Sequence, residues 1–456
     1  MMVVVSLLVI LGAFFGITVG AYALGGLAEG WFKGGANLTN ILILVLLFVM
    51  VIASLLTAAE RKWSSMMQDR IGPNRARIAL PGLKNNSLGG IPHFLADGAK
   101  MLFKEDFIPA AAKGTRLLFE LAPILAFAPV LLLFAVVPAG PTIQLFGHDV
   151  PMYISNPDFG ILWVFAIASL AVYGTALAGW ASNNKFALLG GVRASSQMIS
   201  YEVALGLGLV GMMMAFSTVQ LTEMTAAQGN YLWRLPGEFD IGLPAWGIFL
   251  QPVGFILFFA ASFAETKRAP FDLPEGESEV IGYFVEYSGM KFGLFMISEF
   301  AEIVVLSGVI TAIFLGGYHL PFGEEWLFQA FFKDHPLLWG GFLGMVFWTK
   351  VLFLCWVQLL IRWTMVRFRY DQVQSLGWKI LLPAGLVNVF ITGALVLWDP
   401  SLRALAIVGL VTIFALIAIT WMGGGSKEEA HDHGAGHGAG AHDDHGHAAP
   451  AAAAHH

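Results

Sequence analysis

Residues 264–302 read AETKRAPFDLPEGESEVIGYFVEYSGMKFGLFMISEFAE and decide how the chain is to be read. They begin where one apolar run stops and continue into the next. They hold Glu265, Asp272, Glu275, Glu277, Glu279, Glu286, Glu299 and Glu302, balanced only by Lys267, Arg268 and Lys291. Eight of the chain's 31 Asp and Glu thus fall in under a tenth of its length, a density that asks for an explanation. Crowded carboxylates repel one another and low dielectric penalises the charged form, so such groups hold protons tightly and titrate as a set. Two readings stand: a solvated acidic loop, or a segment that stores and passes protons. The acids alternate with Phe, Val, Ile, Tyr and Gly, unlike a disordered acidic run. Glu299 and Glu302 share one face of the following apolar helix, and ionisable groups at membrane depth are costly and usually functional.

The surrounding chain is a membrane protein by composition. Of 456 residues, 57% are hydrophobic and 12% charged, and the mean hydropathy is +0.72. Apolar runs of about 20 residues, enough for a helix to cross the bilayer core, fall at 39–60, 115–138, 159–180, 197–217, 246–264, 292–316, 338–363 and 379–397. Further runs at 3–24 and 402–422 add one helix at each end; the first is read as retained, since no basic residues precede it as in a signal peptide. The expected fold is all-α and polytopic, with eight core transmembrane helices. Alternate loops carry the basic residues: Arg61 to Arg116, Lys185 and Arg193, Lys267 to Lys291, and Arg367 to Lys379. The intervening loop 139–158 has no Lys or Arg. Positive loops face the cytoplasm, which puts the acidic loop and both termini there.

Residues 91–105, IPHFLADGAKMLFKE, are too short and too charged to span. Their apolar positions approximate one helical face, which predicts an interfacial helix. It serves either as a lipid-surface anchor or as the mouth of a pocket for an apolar ligand. The single cysteine, Cys355, excludes a disulfide or a thiolate-held iron–sulfur cluster within the chain. No haem-attachment, Walker A or Rossmann motif is present, so redox or nucleotide chemistry falls to partners. The tail 423–456 is Gly-, Ala- and His-rich and is expected to be disordered.

Four segments carry a resemblance. They are ERKWSSMMQDRIGPNR at 60–75, GWASNNKFALLGGVRASSQMISYE at 179–202, RAPFDLPEGESE at 268–279 with VEYSG at 285–289, and RFRYDQVQSLGWKILLP at 367–383. Together they resemble the membrane subunit of respiratory complex I that seals the quinone chamber, the H-type component of bacterial NADH–quinone oxidoreductase, over residues 39–400. Residues 1–38, 401–422 and 423–456 lie outside that likeness as an extra helix and loop, an extra helix and the tail.

The resemblance implies a tunnel admitting a quinone from the bilayer and a chain of carboxylates leading from it into the membrane arm. It implies a bacterial inner-membrane location and no cofactor held by this chain, with FMN and iron–sulfur clusters in partner subunits. The partners are peripheral quinone-site and iron–sulfur subunits, membrane-arm subunits and lipid, with no nucleic acid. The proton path would comprise Glu202, Asp272, Glu275, Glu277, Glu279, Glu286, Glu299 and Glu302. The quinone side would comprise Glu60, Arg61, Arg70, Arg75, Phe94, Asp97, Arg268 and Phe271.

Lys350, inside a span, must be paired or neutralised, and a carboxylate partner is expected. Arg369 and Asp371 read as a structural ion pair, and Glu120 as a carboxylate at a helix N-terminus. The 76–90 stretch, with its polar insertion, departs from the family, as does Lys267 beside Arg268. A hydrogenase-type relative of the same fold and a stand-alone ion-coupled transporter are the rival readings. No internal repeat supports the transporter.

Overall fold

The computed structural model describes residues 2–73, 91–234, 242–276 and 280–425. Arg75, Glu277, Glu279, the insertion at 76–90 and residues 426–456 of the tail lie outside them. The chain divides into two compact units, Met1–Leu410 and Val411–His456. Within the described residues the second is helical, with Phe414, Ile417 and Trp421 exposed.

The helices are α1 (Met2–Trp31), α2 (Gly35–Met67), α3 (Ile91–Phe103), α4 (Ala110–Val136), α5 (Gly160–Ala181), α6 (Lys185–Phe216), α7 (Leu221–Ala227), α8 (Pro252–Glu265), α9 (Gly289–Phe314), α10 (Pro336–Thr364), α11 (Tyr370–Trp398) and α12 (Arg403–Gly425). Among the described residues nine helices are long and apolar enough to cross a membrane. The expected span 246–264 is the exception. A single turn at Gly247–Leu250 ends at Gln251, and α8 restarts at Pro252. Proline lacks the N–H that would continue the helix and bars its predecessor from helical geometry. α8 is therefore 14 residues, about 21 Å long and short of the ~30 Å core.

Local chemistry sets the corners. The Glu29 carboxylate accepts from the N–H groups of Gly34 and Ala36 at 3.0 Å and so closes the α1–α2 turn. Asn184 caps α6, its side chain accepting from the Phe186 N–H at 3.0 Å. Two short hairpins lie in loops. β1 (Ile143–Leu145) pairs antiparallel with β2 (His148–Val150), and Ile143 faces Val150. β3 (Tyr231–Arg234) pairs antiparallel with β4 (Gly242–Pro244), with a register shift between Tyr231 and Trp233.

α9 occupies the centre. Its most apolar window is 94% buried, with α2, α4, α8 and α10 packed around it. A helix apolar on all sides needs such a jacket, and this one brings Glu299 and Glu302 inside with it. Small residues allow the close approaches. A Cβ on Gly208 of α6 would stand 3.0 Å from the Gly254 carbonyl of α8, so these helices touch backbone to backbone. α1 lies on α10, where Thr18 donates to the Gly341 carbonyl at 2.8 Å.

Candidate functional site: a buried charge chain beside an apolar cavity

The described residues of the loop 266–288 are held against the bundle end by polar contacts from α6, its N-cap and the segment before α11. Gln197 of α6, fully buried, donates to the carbonyls of Ala264 and Phe271 at 2.7 and 2.9 Å. The Phe368 N–H, just before α11, donates to the Pro270 carbonyl. Asn184 donates to Glu286 at 2.7 Å. Phe271 packs beneath the loop between Tyr201 and Phe368.

This anchoring delivers two cations to the buried acids. Arg268, 8% exposed, places Nη1 2.6 Å from Glu60 of α2 and Nη2 3.8 Å from Glu299 of α9. Its guanidinium lies 3.9 Å over the Phe300 ring. Arg362 of α10 also bonds Glu60, so that carboxylate holds two arginines. Lys267 Nζ stands 3.8 Å from Glu302. Glu299 and Glu302 are 3% and 4% exposed. Charges this deep persist only when paired, because desolvation is costly.

The chain extends in both directions from this centre. Glu299 accepts from the Tyr283 hydroxyl at 3.4 Å and lies within electrostatic reach of Glu275. Glu265, at the end of α8, lies within electrostatic reach of Glu302, Glu202 and Lys267. Burial first, then Glu299 and Asp272, push the Glu275 carboxyl well above the usual range, against the pull of Arg268. Burial also raises the Tyr283 phenol, keeping it a neutral donor. For Lys267 burial pulls downward, but Glu302, Glu299, Glu275 and Glu265 together outweigh it, and the net shift is upward. Lys267 therefore stays cationic amid the acids.

An apolar cavity of about 550 Å³ opens between α2, α3 and α9. Ser54, Thr57, Glu60, Leu95, Met296 and Phe300 are among its lining, and Arg61 and Asp97, paired at 2.5 Å, stand at its rim. The interfacial helix expected at 91–105 is thus present as α3, and it forms a wall. The volume falls within the range of small-molecule sites, about 300–1,000 Å³.

Several expected site residues stand apart. Glu286 is held by Asn184, the cap of α6. Arg70 sits in an exposed turn after α2, its N–H donating to the Ser65 carbonyl. Phe94 is on α3, and the structure describes only its backbone. Asp272 and Glu202 are half-buried at the edges of the cluster. Phe271 is a packing residue in this structure. Arg369 and Asp371 pair on the surface at 3.2 Å, and Glu120 pairs with Arg116 at 2.8 Å.

Lys350 differs from expectation. In place of a carboxylate, it donates to the carbonyls of Leu315, Gly317 and His319 at 2.7, 2.9 and 2.6 Å and lies 4.3 Å over Trp246. It satisfies the C-cap carbonyl of α9 and two carbonyls of the turn that follows. Glu265 and Arg362 were absent from the expected site. Glu265 sits in the same acidic stretch and was legible by proximity. Arg362 ends a span like any flanking arginine, and nothing local marks it.

Fold and site define a multi-pass membrane subunit that carries a buried acid–base chain next to an apolar cavity. A family model described as NADH dehydrogenase matches residues 39–393. The chain is 38% identical to the H subunit of NADH-quinone oxidoreductase from Flavobacterium johnsoniae, covering 78% of this chain and 94% of that one. It is 40% identical to the H subunit numbered 1 from Cytophaga hutchinsonii, over 79% and 96%. It is 41% identical to the H subunit from Bdellovibrio bacteriovorus, over 80% and 97%. The chain belongs to the NADH dehydrogenase family, in the group of H subunits of NADH–quinone oxidoreductase, a membrane component of complex I. It is one part of that enzyme and not a catalyst alone.

Proposed function

We propose that this chain forms the quinone access path of a proton-translocating NADH–quinone oxidoreductase and the first carboxylates of its coupling path. The observation that supports this most is one residue in two structures: Glu60 lines the apolar cavity and also bonds Arg268, whose other side faces Glu299. A quinone tail suits the apolar wall of α3 and α9, and its polar head suits the rim. Electrons come from NADH through FMN and iron–sulfur clusters of partner subunits. The headgroup is reduced chiefly against a peripheral partner, and each two-electron reduction takes up two protons. Arg61, Asp97 and Arg268 fall on the quinone side.

Reduction changes the charge next to Glu60. Arg268 then divides its attraction differently between Glu60 and Glu299, which alters proton affinity at Glu299 and Glu275. Lys267 transmits the change to Glu302, and Glu265 relays it to Glu202. The acids act as a coupled set, without a fixed order of titration. The acidic loop and both termini face the cytoplasm, and the membrane is the bacterial inner membrane.

The test uses membranes from cells with and without this chain. NADH-driven reduction of a short-chain quinone is assayed, with an artificial acceptor as control and a specific inhibitor to exclude a second dehydrogenase. Selective loss of quinone reduction is expected. Unchanged quinone reduction overturns the reading and favours the hydrogenase-type or transporter alternatives.

A further inference from the structure

A second hollow, of about 360 Å³, lies between the end of α3 and the start of α9. It meets the apolar cavity only at Arg61, Asp97 and Met101. Its lining includes Arg61, Lys100 and Lys104 against one acid, Asp97, which the Arg61 ion pair already engages. Lys100 and Lys104 stand one helical turn apart, and among the described residues neither is paired with a carboxylate. This leaves two net positive charges facing the space.

Tyr287 points to an occupant. Its ring is wedged between Phe119, stacked at 4.0 Å, and Phe295, edge-on at 5.1 Å, and the residue is 5% exposed. The residue lines the hollow, and its hydroxyl is buried with no hydrogen-bond partner among the described residues. Burial pushes the phenol upward, so it remains a donor. An unmet buried donor is unfavourable, and a bound acceptor relieves it. Ser288 could cap α9 but donates to the Glu105 carbonyl instead, at 3.1 Å. The first N–H groups of α9 therefore lack a side-chain cap at this hollow.

Two lysines, a neutral phenol and an uncapped helix start form a donor set for a phosphate. In the same stretch of chain as Lys100 and Lys104, Leu102, Phe103 and Phe107 are exposed, Phe103 at 90%. A soluble anion has no use for that surface. We propose that this hollow binds the phosphodiester headgroup of an anionic phospholipid, whose acyl chains cover the apolar side of α3. The bound lipid would fix α3, one wall of the neighbouring cavity. The inference does not depend on what enters that cavity.

The test uses the whole purified complex in nanodiscs of phosphatidylcholine with a minor fraction of phosphatidylglycerol. Retained phosphatidylglycerol is counted by native mass spectrometry and its affinity titrated. Removing two cations at a membrane surface, in Lys100→Gln/Lys104→Gln, should weaken retention by about tenfold or more. Tyr287→Phe keeps the ring and should weaken it by about threefold. Lys100→Arg/Lys104→Arg should retain the lipid. Equal retention in all variants overturns the proposal. Variant-sensitive binding of inorganic phosphate without retained lipid overturns the lipid source and makes the site one for a soluble anion.

Discussion

Arg268 bonds Glu60 at 2.6 Å across 208 residues of sequence. The contact joins the loop after α8 to α2 and places a cation between the cavity and the acids of α9. Removing one partner of a buried pair costs about 3–5 kcal/mol, because the other charge is left uncompensated. Arg268→Met should lower the amount of assembled complex and abolish most quinone reduction in what assembles. Arg268→Lys should assemble better yet turn over poorly, since an ammonium cannot serve Glu60 and Glu299 with a planar fork. Assembly is read by blue-native electrophoresis, and NADH-to-acceptor activity serves as the control. Wild-type turnover in Arg268→Met would remove this contact from the mechanism.

Glu202 and Glu265 mark the far end of the chain of acids. Glu202→Gln and Glu265→Gln keep shape and hydrogen bonding but lose the titrating proton. Both should assemble normally, reduce quinone at least about tenfold more slowly if proton transfer there is obligatory, and pump correspondingly less. Full turnover with full pumping in either variant takes that residue off the path.

The Glu275 carboxyl has a folded-state pKa raised above its ordinary value by burial and by Glu299. The folded protein therefore binds this proton more tightly than the unfolded chain does. The stabilising contribution is full below the unfolded value of about 4.5 and is lost as pH rises through the folded value. Glu275→Gln mimics the protonated form and escapes this loss. Its melting temperature should match wild type near pH 4.5 and exceed it progressively above, measured by thermal shift in detergent. A gap that is constant with pH would contradict the assignment.

Gly98 of α3 borders the apolar cavity, and a Cβ built there meets nothing within 4 Å. Gly98→Phe should therefore fold and fill the space. The expected result is a KM for long-tailed quinone raised by about an order of magnitude, with a smaller change for a short-tailed analogue, as expected when uniform binding is removed. Equal effects on both quinones would mean that the tail does not pass this wall.

Lys350 ties down the turn after α9 through three carbonyls. Lys350→Met would leave them unsatisfied at about 1–3 kcal/mol each. The yield of assembled complex and its thermal stability should fall, while turnover per assembled complex is retained. A stable variant with lost pumping would assign Lys350 to proton transfer instead.

Much of the fold was legible because hydropathy belongs to each residue separately. The apolar runs, the alternation of basic loops and the amphipathic 91–105 segment need no knowledge of neighbours, and α1, α2, α4, α5, α9, α10 and α12 fall where those runs do. α6 extends twelve residues earlier than its apolar core, since the Asn184 cap starts a helix that polarity alone would not announce. The break at Gln251–Pro252 was written in the proline but was hidden within an apolar run.

The carboxylate density of 264–302 and the cations beside it were likewise local, and the sequence by itself marked them as the centre of the protein. It could not say which acid meets which cation. A Coulomb interaction depends on separation and on the medium between the charges, and both are set by packing. Only the tertiary structure joined Arg362 and Arg268 to Glu60, Lys267 to Glu302, and Lys350 to carbonyls in place of an acid. It also set Glu286 against the cap of α6, because the helices that enclose α9 and the loop come from segments far apart in the chain.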